Sequence, residues 1–415
     1  MRSRILLTVL VFGVALGVYW GTASWLGDGV TPRQAYFNHL ADAFLHGRLY
    51  LEEPPSTHDL TFFQGQWYVP FPPLPALLML PWVALFGVES VNTVFFSALF
   101  GALNVALIYL LLTAMTKRGW THLITRDHLW LTVFFAFGSV HWYMATLGSV
   151  WFVAQICTVT FIALAVWLTI EHGSPWLAGG ALALALLARP NVILTWPLLA
   201  GIAATVMLTQ VTVSQMQPVP AFSWQAIKWR ALLRWSLLSL IPLALAIGLL
   251  LLYNLARFGN PTDFGYLNEN VADELAPNLH TYGQFNLHYL PKNFWAMWLA
   301  GPRWDREANF WLPDPEGMSL LLTSPVLIYL GRARRRLPLV WGGWVTLLLL
   351  MAPLLLYYNT GWWQFGYRFS LDFIVPAVFL IAVAAGTRVT WAMRWLILAG
   401  VLSNLYGVLW WYGAF

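Results

Sequence analysis

The chain has 415 residues, of which 59% are hydrophobic and only 9% are charged, whereas soluble domains carry about a quarter charged residues. This composition excludes an ordinary soluble domain. The net charge of +5 does not indicate nucleic-acid binding, because basic residues beside apolar segments set the orientation of membrane proteins. The single cysteine, Cys157, lies in an apolar run and excludes an internal disulfide or a cysteine-pair metal site.

Apolar segments recur along the whole chain, and about 20 such residues suffice to cross a hydrocarbon core about 30 Å thick. Backbone groups in lipid must be satisfied within their own segment, so the spans are predicted to be helices. No alternating barrel pattern is present in the sequence. The predicted fold class is all-α, a polytopic transmembrane helical bundle, with residues 1–415 forming a single integral-membrane domain.

The first apolar run covers residues 5–26 and follows Arg2 and Arg4. It is too long for the core of a signal peptide and lacks a small-x-small cleavage site, which favours an uncleaved first span. The two arginines predict a cytoplasmic N-terminus. The polar stretch that follows, residues 27–87, is then the first outside loop.

This first loop concentrates carboxylates, histidines, arginines and prolines, and ionisable groups at a membrane boundary are functional candidates by default. Residues 34–45 have helical spacing with one apolar side, and Thr31 and Pro32 suit an N-cap and a first-turn proline. We predict an amphipathic helix on the membrane surface. Its polar side carries His39, Asp42, His46 and Arg48.

The loop ends in an apolar segment, residues 74–86, that contains prolines. At about 1.5 Å per residue it is too short to cross the bilayer, so we predict an interfacial or re-entrant helix. The charge distribution supports this choice. If the segment does not cross, the inside segments hold most of the 22 basic residues and only Asp127 and Glu171 of the 17 acidic ones, as the positive-inside tendency requires. The four arginines between 332 and 336 then lie inside.

About eleven spans follow from this parity, with the C-terminus outside. They are expected at residues 5–26, 91–116, 129–147, 149–170, 175–188, 190–208, 235–254, 318–331, 338–358, 371–387 and 395–412. Two further outside segments contribute polar residues to the same face as the first loop: a long loop at 255–317 and a short one at 359–370.

Five segments allow comparison with known families. They read AYFNHLADAFLHGRLYL and PPLPALLMLPWVALFG in the first loop, ARP at 188–190, YNLARFGNPTDFGY at 253–266, and GWWQFGYRFSLDF at 361–373. In this order they resemble the GT-C superfamily of membrane glycosyltransferases, and are similar to protein O-mannosyltransferases and aminoarabinose transferases. The resemblance covers most of the chain.

The resemblance implies an inverting glycosyltransferase that moves a sugar from a polyprenyl-phosphate carrier to a lipid, glycan or protein acceptor. The reaction would take place at the outer face of a prokaryotic inner membrane. It needs a carboxylate that takes the acceptor proton, cations for the leaving phosphate and an apolar groove for the lipid tail. The resemblance specifies no cofactor and leaves a divalent metal open. His39, His58 and His280 could ligate a metal, but they lack the close spacing of metal ligands.

In such enzymes the base is an acidic residue shortly after the first span, where this chain has Arg33 and Gln34. Asp28, five residues before Arg33, is the only carboxylate between the first span and the surface helix. Asp28 is therefore the first candidate base, with Asp42 and Asp59 as alternatives. In the competing interpretation, Asp28 caps a glycine-rich turn and the chain is a homologue with another activity or none.

Three arginines at predicted outer span ends, Arg189, Arg257 and Arg368, are expected to bind the lipid phosphate. A guanidinium suits this role because its planar fork donates two parallel hydrogen bonds. The alternative for each is a snorkelling residue or a partner for a nearby acid. Asp372, four residues after Arg368, is one such acid.

Aromatic and polar residues near these arginines are expected to contact the sugar or the acceptor: Trp362, Trp363, Gln364, Tyr36 and His39. Most of the 26 tryptophans need no such role, because an aromatic belt forms at span ends. The alternative function is a non-catalytic transporter or a protein that handles lipid or glycan. A transporter would place ionisable residues near the bilayer midplane in two related halves, a pattern this sequence does not show.

Overall fold

The computed structural model describes residues 2–207, 227–334 and 337–414, with side chains from residue 4 onward. Two of the four clustered arginines, Arg335 and Arg336, lie outside the described residues. Within the described ranges the α-helices are α1 (Arg2–Leu26), α2 (Phe37–Leu45), α3 (Leu74–Phe86), α4 (Thr93–Lys117), α5 (Thr125–Phe137), α6 (His141–Ala145), α7 (Val150–Glu171), α8 (Pro175–Leu186), α9 (Trp196–Val206), α10 (Trp229–Phe258), α11 (Ala276–Tyr282), α12 (Leu290–Trp298), α13 (Leu320–Thr323), α14 (Pro338–Leu355), α15 (Ile374–Ala385) and α16 (Trp391–Trp411).

Short 3₁₀ segments and two small hairpins connect these helices. The 3₁₀ segments are Val88–Ser90, Pro190–Thr195, Tyr266–Asn268, Leu287–Tyr289, Pro325–Arg332 and Arg368–Asp372. Strands β1 (Thr61–Phe63) and β2 (Gln66–Tyr68) form one antiparallel hairpin, and β3 (Arg303–Asp305) and β4 (Phe310–Leu312) form the other. The predicted all-α bundle is confirmed.

Six of the described helices are long and apolar enough to cross a membrane: α1, α4, α7, α10, α14 and α16. The count of eleven spans remains a prediction. Several expected spans are not single helices, because glycine and proline interrupt them. The 129–147 segment breaks at Gly138 into α5 and α6. The 318–331 segment breaks at Ser324–Pro325, and the 190–208 segment begins as 3₁₀ helix before α9.

The centre of the bundle is formed by α4, α7 and α15. Helix α4 packs along α7, and α1 and α8 pack on their outer sides. Every residue from Ile374 to Val383 of α15 is buried, which explains why its sequence is apolar on all sides. Helices α1 and α10 lie at the periphery and expose leucine and valine side chains, as expected of surfaces that face lipid.

Contacts between the loops place them in two groups, one at each end of the bundle, as the predicted alternation of inside and outside segments requires. At one end Lys117 pairs with Glu171, and the Asp127 carboxylate lies 3.6 Å from Arg394; all four belong to predicted inside segments. At the other end the predicted outside loops meet: Asp59 N–H donates to the Asn270 carbonyl at 2.9 Å. The assignment of each end to a side of the membrane remains a prediction.

The two helices predicted in the first loop are both present. The short apolar helix α3 has the predicted bounds, 74–86. Helix α2 begins at Phe37 rather than at residue 34, and the predicted cap by Thr31 and Pro32 is wrong. The Ala35 N–H donates to the Pro32 carbonyl at 3.0 Å and closes a separate turn. Helix α2 then buries its apolar side against α3.

The predicted orientation can be tested by cysteine labelling. We expect a cysteine at the exposed position Arg303 to react with a membrane-impermeant thiol reagent in intact cells, and a cysteine at the exposed position Arg334 to react only after permeabilisation. The native Cys157 is buried, so it contributes little background. Labelling at position 334 in intact cells, together with protection at position 303, would show that the orientation is the opposite of the predicted one.

Candidate active site

A cavity of about 240 Å³ lies where the outside loops meet the bundle. Its wall combines two carboxyl groups, two guanidinium groups and a set of aromatic rings. The charged residues are Asp59, Glu269, Arg189 and Arg368, and the aromatic ones are Phe71, Trp151, Phe264, Tyr266, Phe285, Tyr357, Tyr358 and Phe369. The cavity thus brings together Asp59, Arg189 and Arg368, three of the residues selected from the sequence.

The Asp59 carboxylate is placed by a constrained loop between α2 and β1. Its backbone has φ = 56°, a left-handed conformation that aspartate and asparagine tolerate better than most residues. The loop is fastened by the Asn270 N–H, which donates to the Leu60 carbonyl at 2.8 Å. On its other side, the Tyr36 hydroxyl donates to the His58 carbonyl at 2.7 Å.

The protonation of Asp59 depends on opposing influences. Burial raises the pKa of this carboxyl above its ordinary value, whereas His58, Arg368 and a hydrogen bond from Trp151 lower it. The side chain is 19% exposed and remains open to the cavity. A carboxylate with a raised pKa binds a proton more strongly, which suits a general base.

The second carboxyl group, Glu269, faces Asp59 from the long outside loop. Residue 269 forms an antiparallel bridge with Thr61, which places the two acids on neighbouring backbone segments. Burial and the Asp59 charge raise the pKa of Glu269 well above its ordinary value. The sequence alone does not single out Glu269. It lies three positions beyond the YNLARFGNPTDFGY segment, and nothing local distinguishes it from other loop acids.

Arg189 is held by an ion pair at a break between helices. Because Pro190 disfavours helical geometry in the residue before it, Arg189 is extended, with φ = −149°. Its Nε lies 2.9 Å from Oδ1 of Asp372, and its Nη2 donates to Oδ2 at 3.0 Å. Asn191 donates to the same oxygen at 2.8 Å. Asp372, which the sequence suggested as a partner for Arg368, is therefore the partner of Arg189.

The Arg368 guanidinium is buried and has no acidic partner. The residue is 7% exposed, and among the residues that the structure describes no carboxylate lies within ion-pair distance of it. Its charge lies over the rings of Phe152 and Phe369, at 5.6 and 5.1 Å from their centroids. Because a buried cation without a partner is costly, this side chain is suited to an incoming anion.

The guanidinium groups of Arg189 and Arg368 both lie close to the ring of Phe369. Arg189 lies 5.6 Å from its ring centroid and Arg368 lies 5.1 Å from it. Two cations around one ring favour a ligand with a concentrated negative charge, such as a phosphate. Arg189 contributes a positive charge already shared with Asp372, whereas Arg368 contributes one that is unshared.

The other two candidate bases lie elsewhere. Asp28 is exposed, and its Oδ1 accepts a hydrogen bond from the Val30 N–H at 2.9 Å, which is the turn-capping arrangement. It borders a separate hollow beside Tyr412. Asp42 lies on α2, 3.6 Å from His46, and does not line the cavity.

Arg257, the third predicted phosphate ligand, uses its guanidinium within the protein. Its Nη1 donates to the Val69 carbonyl and its Nη2 to Asn254 Oδ1, both at 2.7 Å. The charge lies 3.9 Å from the Tyr253 ring centroid. These contacts fasten the first loop to the end of α10. Arg257 does not line the cavity.

The remaining predicted contacts surround the cavity without forming its wall. Gln364 is fully buried, and its side-chain oxygen accepts a hydrogen bond from the Arg368 N–H at 2.8 Å, so it positions that residue. Trp362 packs near Tyr358, whereas Trp363 is 52% exposed and stacks on Trp410.

The two predicted contacts from the first loop support the Asp59 loop or α2. Burial raises the pKa of Tyr36 to about 12, so its hydroxyl keeps the proton that it donates to His58. Burial also lowers the pKa of His39 on α2, which favours the neutral ring. Within the described ranges no group of three His, Cys, Asp or Glu side chains is placed to hold a metal.

No protein-family model and no curated protein matches the chain. Its fold is similar to the crystal structure of ArnT from Cupriavidus metallidurans bound to undecaprenyl phosphate. The TM-score is 0.52 at 13% identity, over 93% of this chain and 61% of that one. For ArnT in the apo state the TM-score is 0.50 at 12% identity, over 94% and 62%.

The likeness to ArnT confirms the predicted fold, a bundle of membrane helices arranged as in ArnT. The chain is that of an integral membrane protein. It spans about three-fifths of the length of ArnT, and identities of 12–13% extend the likeness to the fold and no further.

The contrast between the two cavity arginines predicts opposite effects on stability. Arg189→Met leaves Asp372 buried without its cation, which should lower the free energy of unfolding by about 3 kcal/mol. Arg368→Met removes a cation that has no acidic partner and keeps the apolar contact, so stability should stay the same or rise. Thermal unfolding of both variants in detergent measures the difference. Equal losses would contradict the assignment of Arg368 as unpaired.

Proposed function

We propose that this chain is an inverting glycosyltransferase that moves a sugar from a polyprenyl phosphate to an acceptor hydroxyl. The observation that carries the proposal is the cavity whose wall contains both the Asp59 carboxylate and the unpaired Arg368 guanidinium. A base and an unshared cation in one cavity are the two groups that this transfer requires. The similarity of the fold to ArnT, whose structure contains undecaprenyl phosphate, supports a lipid phosphate as the anion.

In the proposed reaction Asp59 accepts the proton of the acceptor hydroxyl while the hydroxyl oxygen attacks the anomeric carbon. The bond from that carbon to the phosphate oxygen breaks, and its electron pair stays on the phosphate. Arg368 stabilises the developing charge, with Arg189 adding to the local positive field. A single displacement of this kind inverts the anomeric configuration, because the acceptor enters opposite the leaving phosphate.

The cavity wall also provides apolar and aromatic surface for the rest of the donor. Pro353 and Leu354 at the end of α14 and Phe71 and Pro72 before α3 line it, and these positions adjoin helices of the bundle. We place the lipid tail along this side and the sugar against the tyrosines. The predicted parity puts the cavity at the outer face of a prokaryotic inner membrane, where lipid, glycan or protein acceptors are accessible.

The role of Asp59 is tested by Asp59→Asn, which keeps the side-chain shape and tolerates the left-handed backbone. The variant should lose about 10²–10⁴-fold in transfer rate, the usual contribution of a general base. Its affinity for undecaprenyl phosphate should remain, because the base contacts the acceptor. Asp28→Asn and Asp42→Asn are the matched controls and should retain activity. Loss of transfer in Asp28→Asn with full activity in Asp59→Asn would return the base to Asp28.

The phosphate site is tested by Arg368→Lys, which keeps the charge but loses the planar fork. We expect weaker binding of undecaprenyl phosphate with unchanged thermal stability. Arg33→Lys, an exposed substitution in the first loop, is the matched control and should bind as the wild type does. Unchanged affinity in Arg368→Lys would remove this arginine from the site.

The same measurements separate the enzyme from a non-catalytic protein that handles lipid or glycan. Such a protein would bind undecaprenyl phosphate through Arg368, yet Asp59→Asn would have no activity to lose. Formation of a glycosylated acceptor by the wild type, and its loss in Asp59→Asn, is the result that the enzyme requires.

A further inference from the structure

Glu269 is a cavity-lining carboxyl group that the reaction above does not use. Its residue is 9% exposed, and its Oε2 has no hydrogen-bond partner. Buried polar atoms are nearly always satisfied by protein, water or ligand. An unsatisfied oxygen in the wall of a binding cavity therefore indicates a contact that the ligand completes.

The groups around Glu269 decide the form in which it meets the ligand. Asp59 faces it from the first loop, Tyr266 from its own loop, and Tyr357 and Tyr358 from the end of α14. Among the described residues no lysine, arginine or histidine forms an ion pair with it. Within this part of the chain, the charge of Glu269 is then neutralised by a proton.

Of the two carboxyl groups, Glu269 binds a proton more strongly than Asp59 does. Burial raises the pKa of both carboxyl groups. His58, Arg368 and a hydrogen bond from Trp151 act against this effect at Asp59, whereas the Asp59 charge raises the pKa of Glu269 further. When two carboxyl groups interact, the one with the better-stabilised anion ionises first. Asp59 therefore becomes the carboxylate while Glu269 keeps its proton.

We propose that Glu269 is a specificity-determining residue that, as an uncharged carboxylic acid, donates a hydrogen bond to a hydroxyl of the donor sugar. The inference rests on the proposed function and deepens it, since it names the class of sugar. A neutral donor at this position favours a sugar that presents a hydroxyl there. An amino sugar would present an ammonium group, which has no lone pair to accept that hydrogen bond.

The protonation is tested directly, without any activity. Infrared difference spectra across a pH titration of the detergent-solubilised protein should show the carbonyl band of a protonated carboxylic acid at neutral pH. The band should be absent from Glu269→Gln and present in Glu274→Gln, an exposed control on the same loop. A carbonyl band at a different frequency in Glu269→Asp would independently assign the band to residue 269. Absence of the band in the wild type at neutral pH would overturn the proposal.

The ligand class is tested by binding three probes: undecaprenyl phosphate alone, the same lipid carrying a neutral hexose, and the same lipid carrying an amino sugar. Glu269→Ala should lose about tenfold in affinity for the hexose lipid, the order of one unsatisfied hydrogen bond, and nothing for the bare lipid. Glu269→Gln, which still donates, should recover most of this loss.

The outcomes separate this proposal from the one on which it rests. If the wild type binds the amino-sugar lipid more tightly and Glu269→Gln loses that preference, Glu269 acts as an anion and the proposal is wrong. If the bare lipid does not bind to the wild type, the proposed function fails, whereas the infrared band still reports the state of Glu269.

Discussion

The cost of burying charge is the constraint on which the arrangement of this cavity depends. A guanidinium removed from water loses several kcal/mol of hydration free energy unless partners replace it. Arg189 receives such partners from Asp372 and Asn191. Arg368 lies over two aromatic rings, and it forms no ion pair with any carboxylate in the part of the chain that the structure describes. The protein therefore retains an unshared positive charge in its interior, and an anionic ligand is the partner that would offset the cost.

The scaffold supplies this arrangement through breaks in otherwise regular helices. Pro190 ends the helical run that leads out of α8 and leaves Arg189 extended. A 3₁₀ turn carries Arg368 and Asp372 immediately before α15, the most deeply buried helix of the bundle, so both side chains are anchored to a rigid element. The Asp59 loop is clamped by Tyr36 and by residue 270. Functional groups held on rigid elements in this way keep the geometry that a displacement reaction needs.

Sequence reasoning predicts the parts of the site that depend on residue type and position along the chain. The all-α fold, the bounds of α3 and the placement of Arg189 and Arg368 at one end of the bundle follow from hydropathy and charge. The ranking of the carboxylates does not, because Asp59 reaches the cavity through pairing with a loop more than 200 residues away. Glu269 cannot be recognised from the sequence for the same reason, because its pairing with Thr61 also joins segments that are distant along the chain. Span-end position alone also fails to separate Arg257 from Arg368. The Arg257 guanidinium contacts Val69 and Asn254, whereas the Arg368 guanidinium has no acidic partner among the described residues.

We infer that the cavity containing Arg368 and Asp59 binds the phosphate of a polyprenyl lipid. The most direct test is an experimental structure of the protein with undecaprenyl phosphate bound. We expect phosphate oxygens within hydrogen-bond distance of the Arg368 guanidinium, with the Asp59 carboxylate open to the same space. A phosphate bound in the hollow beside Asp28 and Tyr412, with the Arg368 cavity empty, would contradict it.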